Sequence, residues 1–372
     1  MSSDAAIKAL LIAMVEDVEA AAASINRLKP ERLCFFLPDS SKTVVEQQMP
    51  PKLQQMPQRW DWIVTPDPGR FVASYQAIAR ALPAMMKTWD VHSGELVAEM
   101  TAATPSMAAA MALACAPFCS RLIAADEAMN PWDELAAQSR REACDLFNRG
   151  AFSAAGAAFR AIEWRVSGGQ KPLYHAFADL ADGYACWDRF QYRPAWEKLK
   201  GGVKALEMAS VWGGPPGLKE LLPPIKQNAG FLERLVLDPQ DVKEYVVYDL
   251  LAHARRRAEL DQHHEAAMTV LVRAFEAAAQ HRLFSKHKIR NRDAALQAQF
   301  NALAATGDPL GQAVLAQWMK LIPFLDAASQ GILGHGFEAV KAERFQQLYD
   351  LVIKLLDVTE ASVPRFPVLA LA

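Results

Sequence analysis

Short apolar runs alternate with helix-forming stretches through the first 125 residues, and that alternation leaves few folds open. Ile7 to Met14, "IKALLIAM", is a continuous apolar run closed by the charged turn "VED". "VEAAAASINRLK" then sets apolar residues at helical spacing among strong helix formers. "ERLCFFLP" is a second strand, and "DSSKTVVEQQM" opens on Asp39 and Ser40 as N-caps of a helix. "WDWIVT" is a third strand, and "PGRFVASYQAIARALPAMMKTW" reads as a long helix broken near Pro83. "GELVAEM", "SMAAAMALACAPF" and "SRLIAA" continue the pattern as strand, helix and strand. Strands separated by helices of this length pair in parallel, with helices over both faces of the sheet. The expected fold class is α/β over residues 1–127: a Rossmann-like N-terminal domain with a parallel sheet.

Ligands of such sheets bind beyond the carboxyl ends of the strands, where the strand order reverses. The loops expected there are Val15 to Asp17, after the first strand, and Thr101 to Ser106, after the fourth. Small residues in the second loop let backbone N–H groups approach a phosphate, and the following helix N-terminus favours an anion. The hydroxyls of Thr101, Thr104 and Ser106 can donate as well. A capped loop that holds no ligand is the competing reading. The first loop carries Glu16 and Asp17 and no G-x-G-x-x-G, and two carboxylates repel a phosphate at several ångströms' range. No dinucleotide cofactor is expected, and with it no dehydrogenase.

From about Trp132 the strand signals fade, and residues 128–372 read as an all-α helical domain. "WDELAAQSRREACDLFNRGAFSAAGAAFRAIEWRV" forms two helices about the turn "NRGAF". Similar layouts recur at "YACWDRFQYRPAWEKLK" and "LLAHARRRAELDQHHEAAMTVLVRAFEAAAQ". They resemble tetratricopeptide repeats, but the spacing is irregular, which favours a bundle over a solenoid. Val211 to Pro224, "VWGGPPGLKELLPP", reads as a Gly/Pro-rich loop. The basic run "AHARRRAE" is either a solvated helix face partnered by Glu259 or an RNA-facing surface. His263 and His264 read as surface turn residues. Arg282 and His287 have a spacing that suits metal-free RNA cleavage, or arises by coincidence.

The net charge is -2, which excludes the strong overall basic field of a general nucleic-acid binder but not a local cleft. The cysteines, Cys34, Cys115, Cys119, Cys144 and Cys186, are odd in number and mostly in apolar surroundings, which points to reduced thiols in the cytoplasm. Cys115 and Cys119 suit one buried helix face, with no further ligands arranged for a metal. The N-terminus lacks the basic region of a signal peptide, and no apolar run is long enough to span a membrane. No membrane contact is expected.

Two segments resemble one family. "EMTAATPSM" is similar to the fourth-strand motif Thr-Gly-Gly-Thr-Lys-x-Met of CRISPR-associated Rossmann-fold (CARF) domains. Thr101, Thr104 and Met107 match, Ala102 and Ala103 stand for the glycines, and Pro105 stands for the lysine. "ASQGILGHGFEAV" is similar to the C-terminal motif Arg-Asn-x-Ser-Ile-Leu-Ala-His-Gly-Phe-Glu-Pro-Val of the HEPN domains in the same proteins. Ile332, Leu333, His335, Gly336, Phe337, Glu338 and Val340 match. "LADLADGYACWDRF" and "HARRRAE" also look like the family's helical region.

The resemblance implies a homodimer of type III CRISPR immunity. Its CARF half would bind cyclic oligoadenylate as activating ligand, through Met14, Val15, Thr101, Ala102, Ala103, Thr104, Ser106 and Met107. Its HEPN half would be a metal-independent endoribonuclease acting on single-stranded RNA, with His335 as acid–base catalyst. No cofactor and no metal are implied. Aligned on His335, the family's arginine falls on Ala328 and its asparagine on Ser329. A methyl group cannot stabilise a phosphorane. Three explanations stand: the lineage has lost the nuclease, the arginine has been replaced on purpose, or another base such as Arg282 or Arg290 has taken over. A non-catalytic sensor or scaffold binding a partner complex is the alternative function.

Overall fold

A computed structural model describes residues 7–125, 127–211, 214–239, 243–290 and 294–371. The chain divides into two compact units, residues 1–140 with 158–175, and residues 141–157 with 176–372.

The first unit is built on β1 (Ala9–Met14), which is buried at every position. Around it lie α1 (Val18–Leu28), β2 (Arg32–Pro38), α2 (Lys42–Gln48), β3 (Arg59–Thr65), α3 (Phe71–Thr88), β4 (Leu96–Ala102), α4 (Pro105–Cys115), β5 (Cys119–Ala124) and β6 (Glu127–Met129). The strands form one sheet in the order β3-β2-β1-β4-β5-β6. β1 to β5 pair in parallel, and β6 turns back antiparallel on β5. The side-chain period of two sorts the apolar residues onto two faces. Leu11, Ala13, Cys34, Phe36 and Ala98 pack on one side with Ile78, Leu82, Met107 and Met111. Leu10, Ile12, Phe35 and Val97 pack on the other with Val18, Ala22 and Ile25. The α/β reading holds, and the strand order reverses between β1 and β4.

The helices that follow are α5 (Trp132–Asn148), α6 (Phe152–Glu163), α7 (Lys171–Asp188), α8 (Tyr192–Val211), α9 (Leu218–Leu237), α10 (Glu244–Glu259), α11 (His264–His287), α12 (Leu296–Ala305), α13 (Pro309–Ala316), α14 (Trp318–Gln330) and α15 (Ala342–Leu355). In the second unit α10 lies along α11, and α11 also meets α12, α14 and α15. Leu251, Leu271, Phe275, Phe300, Leu321 and Val352 form the core there. Among the described residues no helix is long and apolar enough to cross a membrane.

Four local expectations are corrected. α3 runs unbroken through Pro83. Pro83 is exposed, so water can take the carbonyl that its missing N–H leaves free. Among the described residues the Gly/Pro-rich segment is a loop only from Gly214 to Gly217: Val211 ends α8, and α9 begins at Leu218 and continues through Pro223 and Pro224. Trp212 and Gly213, also assigned to that loop, lie outside the described residues. Asp39 and Ser40 lie within a 3-10 turn (Asp39–Ser41) that precedes α2 and cap nothing. Cys115 ends α4 while Cys119 opens β5, so they share a core but not a helix face. All five cysteines are free. Burial pushes the Cys119 thiol up to about 12.

Candidate functional site

The two loops expected to meet a ligand flank the strand-order reversal of the first unit. β1 and β4 pair there, with Met14 opposite Ala102, so these two sequence-chosen positions are neighbours. The side chains of Met14 and Met107 are fully buried, one in each face of the core, which leaves only their backbone to face a ligand. Val15, Ala102, Ala103 and Thr104 are half-buried, and Thr101 is exposed. The Val15 carbonyl accepts a hydrogen bond from the Ser41 hydroxyl at 2.6 Å.

The three hydroxyls of the second loop are already committed. Thr101 donates to the carboxylate of Glu99, and its oxygen accepts the Ala125 amide at 2.9 Å. Thr104 caps α4 by accepting the Met107 amide at 3.2 Å and donates to the Pro68 carbonyl at 2.5 Å. Ser106 donates to the Gly69 carbonyl at 2.8 Å. The loop is therefore stapled to the turn between β3 and α3, and no hydroxyl hydrogen is left aimed at a ligand. Asp17 caps α1 through the Ala20 amide, Glu16 is exposed, and Glu99 is buried with Arg27 at 3.4 Å.

Sequence reasoning missed one cation here. Arg70 follows Gly69 directly and is exposed, and among the described residues no carboxylate pairs with it. It sits on the turn to which Thr104 and Ser106 are tied, beside the loop whose motif lysine is replaced by Pro105. The signal was hidden because the residue lies 35 positions upstream of that proline.

In the second unit the Gly-His-Gly segment forms a tight turn at the C-terminus of α14. The His335 amide donates to the Ser329 carbonyl at 2.7 Å, and the Glu338 amide donates to the Gln330 carbonyl at 2.9 Å. These bonds satisfy carbonyls that the helix end leaves open. They also bring the turn so close to α14 that side chains do not fit. A Cβ on Gly334 would stand 2.5 Å from the carbonyl oxygens of Ala328 and Ser329, and one on Gly336 would overlap the backbone of Gln330. The glycines thus let the loop lie down on the helix and present His335 outward. The turn is fastened from α11, where Glu265 accepts the Leu333 amide at 2.6 Å. Glu265 was not singled out from sequence, being one acid in a polar turn.

His335 and Ser329 are exposed, and Ala328 is half-buried against the core. The turn also exposes Ile332, Leu333 and Phe337, the last at 94%. Among the described residues no cation is bonded to the His335 imidazole. The candidate substitutes for the arginine are occupied elsewhere. Arg282 and His287 both face Asp308 at 3.5 Å. Burial raises the Asp308 pKa, but the Leu310 amide and Arg282 outweigh it and hold the carboxyl below its ordinary value. Arg290 lies over the Phe284 ring at 5.3 Å. The Arg282–His287 pair anchors the start of α13.

The basic run is neither a solvated face nor an RNA surface. Arg255 and Arg256 are buried, and Arg257 is partly so. Asp249 accepts from Trp187 at 2.8 Å and Tyr192 at 2.9 Å, and Arg256 and Arg257 reach Asp188 at 3.3 and 2.7 Å. Arg256 also lies 3.9 Å over the Phe366 ring. Asp249, His253 and Arg256 share one face of α10, so this polar stripe at helical spacing was the signal for a buried network. His263 is exposed and caps α11 through the Ala266 amide, while His264 is half-buried. Among the described residues no three His, Cys, Asp or Glu side chains gather as a metal site.

The chain joins a mostly parallel Rossmann-like sheet to a large all-helical region. Within that region residues 135–232, about a quarter of the chain, match the family model of the Csm6 6H domain. That domain belongs to CRISPR-associated proteins, and the chain resembles their CARF–HEPN members. No curated protein matches the chain.

Proposed function

We propose that the chain is a homodimeric sensor of type III CRISPR immunity that binds cyclic oligoadenylate and controls a HEPN-type, metal-independent endoribonuclease acting on single-stranded RNA in the cytoplasm, with its nuclease impaired at Ala328. The 6H match carries the reading, because it stands in chain order between the Rossmann-like sheet and the His335 turn. The ligand would lie over the β1–β4 junction against the backbone of Val15 and of Ala102 to Thr104, with Arg70 as cation. In the nuclease half the RNA 2′-hydroxyl, losing its proton to water, would attack the adjacent phosphorus, and the P–O5′ bond would break as the 5′-oxygen takes a proton from a protonated His335. The charge that builds on the phosphorane has no positioned cation at Ala328, which costs orders of magnitude in rate.

The outward apolar side chains of Ile332, Leu333 and Phe337 support a dimer through this turn. Burying them against a second copy would bring two His335 turns to one symmetric site. Ala328 also favours a second reading, a non-catalytic sensor or scaffold for a partner complex. Equilibrium binding of labelled cyclic tetra- and hexa-adenylate tests the proposal first. Micromolar or tighter binding that weakens in Arg70→Ala supports the sensor. No binding at high protein concentration removes it and leaves the scaffold.

A further inference from the structure

The first unit carries a second surface, unrelated to the sensor loops. A depression of about 490 Å³ opens where β4 and β5 begin, within the size range of small-ligand sites. The sensor loops follow the opposite, carboxyl ends of β1 and β4, so the two places are separated by the length of a strand, about 20 Å. Trp164, Arg165, Arg121 and Lys171 line the depression.

Two properties of this lining point to a ligand. Trp164 is 73% exposed, a large apolar face left in water. Arg121, Arg165 and Lys171 have no carboxylate partner among the described residues. Asp133 also lines the depression, but it accepts the Ser167 amide at 2.9 Å. A group of cations without carboxylate partners around an exposed indole suits a ligand that is both anionic and aromatic.

The surface is also held in place. The Trp164 backbone seats against Gly94, whose φ is +97° and where an added Cβ would stand 3.0 Å from the Trp164 carbonyl oxygen, so a side chain there has little room. Asn130 donates to the Arg165 carbonyl at 2.9 Å, and the Arg165 guanidinium stacks on Trp132 at 4.5 Å. A rigid platform of this kind loses little entropy on binding.

We propose that this depression is a single-strand RNA site, in which one base stacks on Trp164 while Arg121, Arg165 and Lys171 hold the flanking phosphates. Base–aromatic stacking is tolerant of sequence, and cations tracking the backbone provide the rest of the affinity. The site rests on the reading of the chain as one that acts on RNA.

The test is fluorescence-anisotropy titration of the full chain with a labelled 12-nucleotide single-stranded RNA of mixed sequence, over a range of salt. Trp164→Ala is expected to weaken binding by between about five- and a hundredfold. Arg121→Glu with Lys171→Glu is expected to weaken it further and to lower the salt slope by about 1.4, two phosphate contacts' worth. Both changes are on the surface, and unchanged thermal melting checks that the fold is kept. RNA binding that is intact in both variants overturns this site alone. RNA binding absent from the unaltered chain overturns the site together with the RNA-acting reading. AMP binding that is lost in Trp164→Ala, with the oligonucleotide unbound, overturns the RNA assignment in favour of a free nucleotide.

Discussion

Leu333 donates its backbone amide to the Glu265 carboxylate at 2.6 Å, joining the His335 turn to the first turn of α11 across 68 residues of sequence. A hydrogen bond to a charged acceptor contributes about 1.5–3 kcal/mol. Glu265→Ala should free the turn while sparing the core, since Glu265 is not among the core residues. Amide exchange at Leu333 should speed up at least tenfold, with Glu265→Gln between the two. An unchanged rate at Leu333 would mean that the bonds to α14 suffice alone.

The same turn makes a sharp forecast about its glycines. Gly336→Ala sets a Cβ into the backbone of Gln330, and neither atom can move without opening the turn. The cost should exceed about 2 kcal/mol locally. Gly230→Ala is the counterpart: it lies inside α9 with nothing within 4 Å of the added methyl. It should stabilise by about 0.5–1 kcal/mol through the unfolded chain. Urea unfolding of both variants reads the contrast, and a tolerated Gly336→Ala would refute the close approach.

Phe337 is almost wholly in water, beside the exposed Ile332 and Leu333 of the same turn. If a second copy covers it, Phe337→Glu places a charge in an apolar contact and should shift the chain to monomer in analytical ultracentrifugation. If the unaltered chain is monomeric at micromolar concentration, the dimer is lost with the symmetric site built on it.

How much of this was legible in the sequence follows from where the causes lie. The parallel strands were readable because burial on both faces writes itself as an apolar run, as in β1. β6 was not, since Glu127–Met129 is short and exposed at every position and pairs only because β5 has a free edge. Pro83, Pro223 and Pro224 misled because the rule against proline in helices assumes that the freed carbonyl has no water. The arginines of α10 misled for the opposite reason. A basic run looks solvated until Asp188, 68 residues from Arg256, is seen to face it. In the candidate sites the motif positions could be aligned, but the commitment of Thr101, Thr104 and Ser106 to Glu99, Pro68 and Gly69 depends on distant loops. The same holds for Arg70 and Glu265.

His253 gives the fold a pH dependence of definite sign. Its imidazole is buried against Phe190, accepts from Arg256 at 3.3 Å on Nδ1, and faces Asp188 at 3.6 Å. Burial first, and then Arg256, lower its pKa from 6.5 to about 4, with Asp188 opposing. The group is neutral when folded and takes a proton more readily when unfolded. Its contribution is therefore complete above pH 6.5 and is lost as pH falls from 6.5 toward 4, a change of about 3 kcal/mol. His253→Gln keeps a polar acceptor without the titration, so its unfolding free energy should fall less steeply across that window. Parallel curves for the two proteins would show that His253 is not the group responsible.

Arg256 is the member of that network whose removal should cost most. It is buried and charged, reaches Asp188 at 3.3 Å and Asp249 at 3.9 Å, and covers Phe366. Taking away one partner of a buried pair leaves an uncompensated charge, at about 3–5 kcal/mol. Arg256→Met should therefore destabilise strongly, whereas adding Asp249→Asn removes the stranded carboxylate and should recover part of the loss. A double variant no better than the single one would mean that the Trp187 and Tyr192 donors already satisfy Asp249.

Ala328 sets the last expectation. Its methyl packs against the helical core while its carbonyl touches the turn that holds His335. An arginine there can bury its stem along the core and carry the guanidinium out to solvent. Restoring a positioned cation beside the reacting phosphate is worth about a hundredfold or more in rate. Ala328→Arg should raise cyclic-oligoadenylate-dependent cleavage of single-stranded RNA by that factor, and Ala328→Lys by less, because lysine lacks the planar fork. Adding His335→Ala should remove the gain. The measurement is single-turnover cleavage with messenger present and absent. If Ala328→Arg cleaves no faster than the unaltered chain, the turn lacks nuclease geometry beyond the missing cation, and the sensor or scaffold reading takes its place.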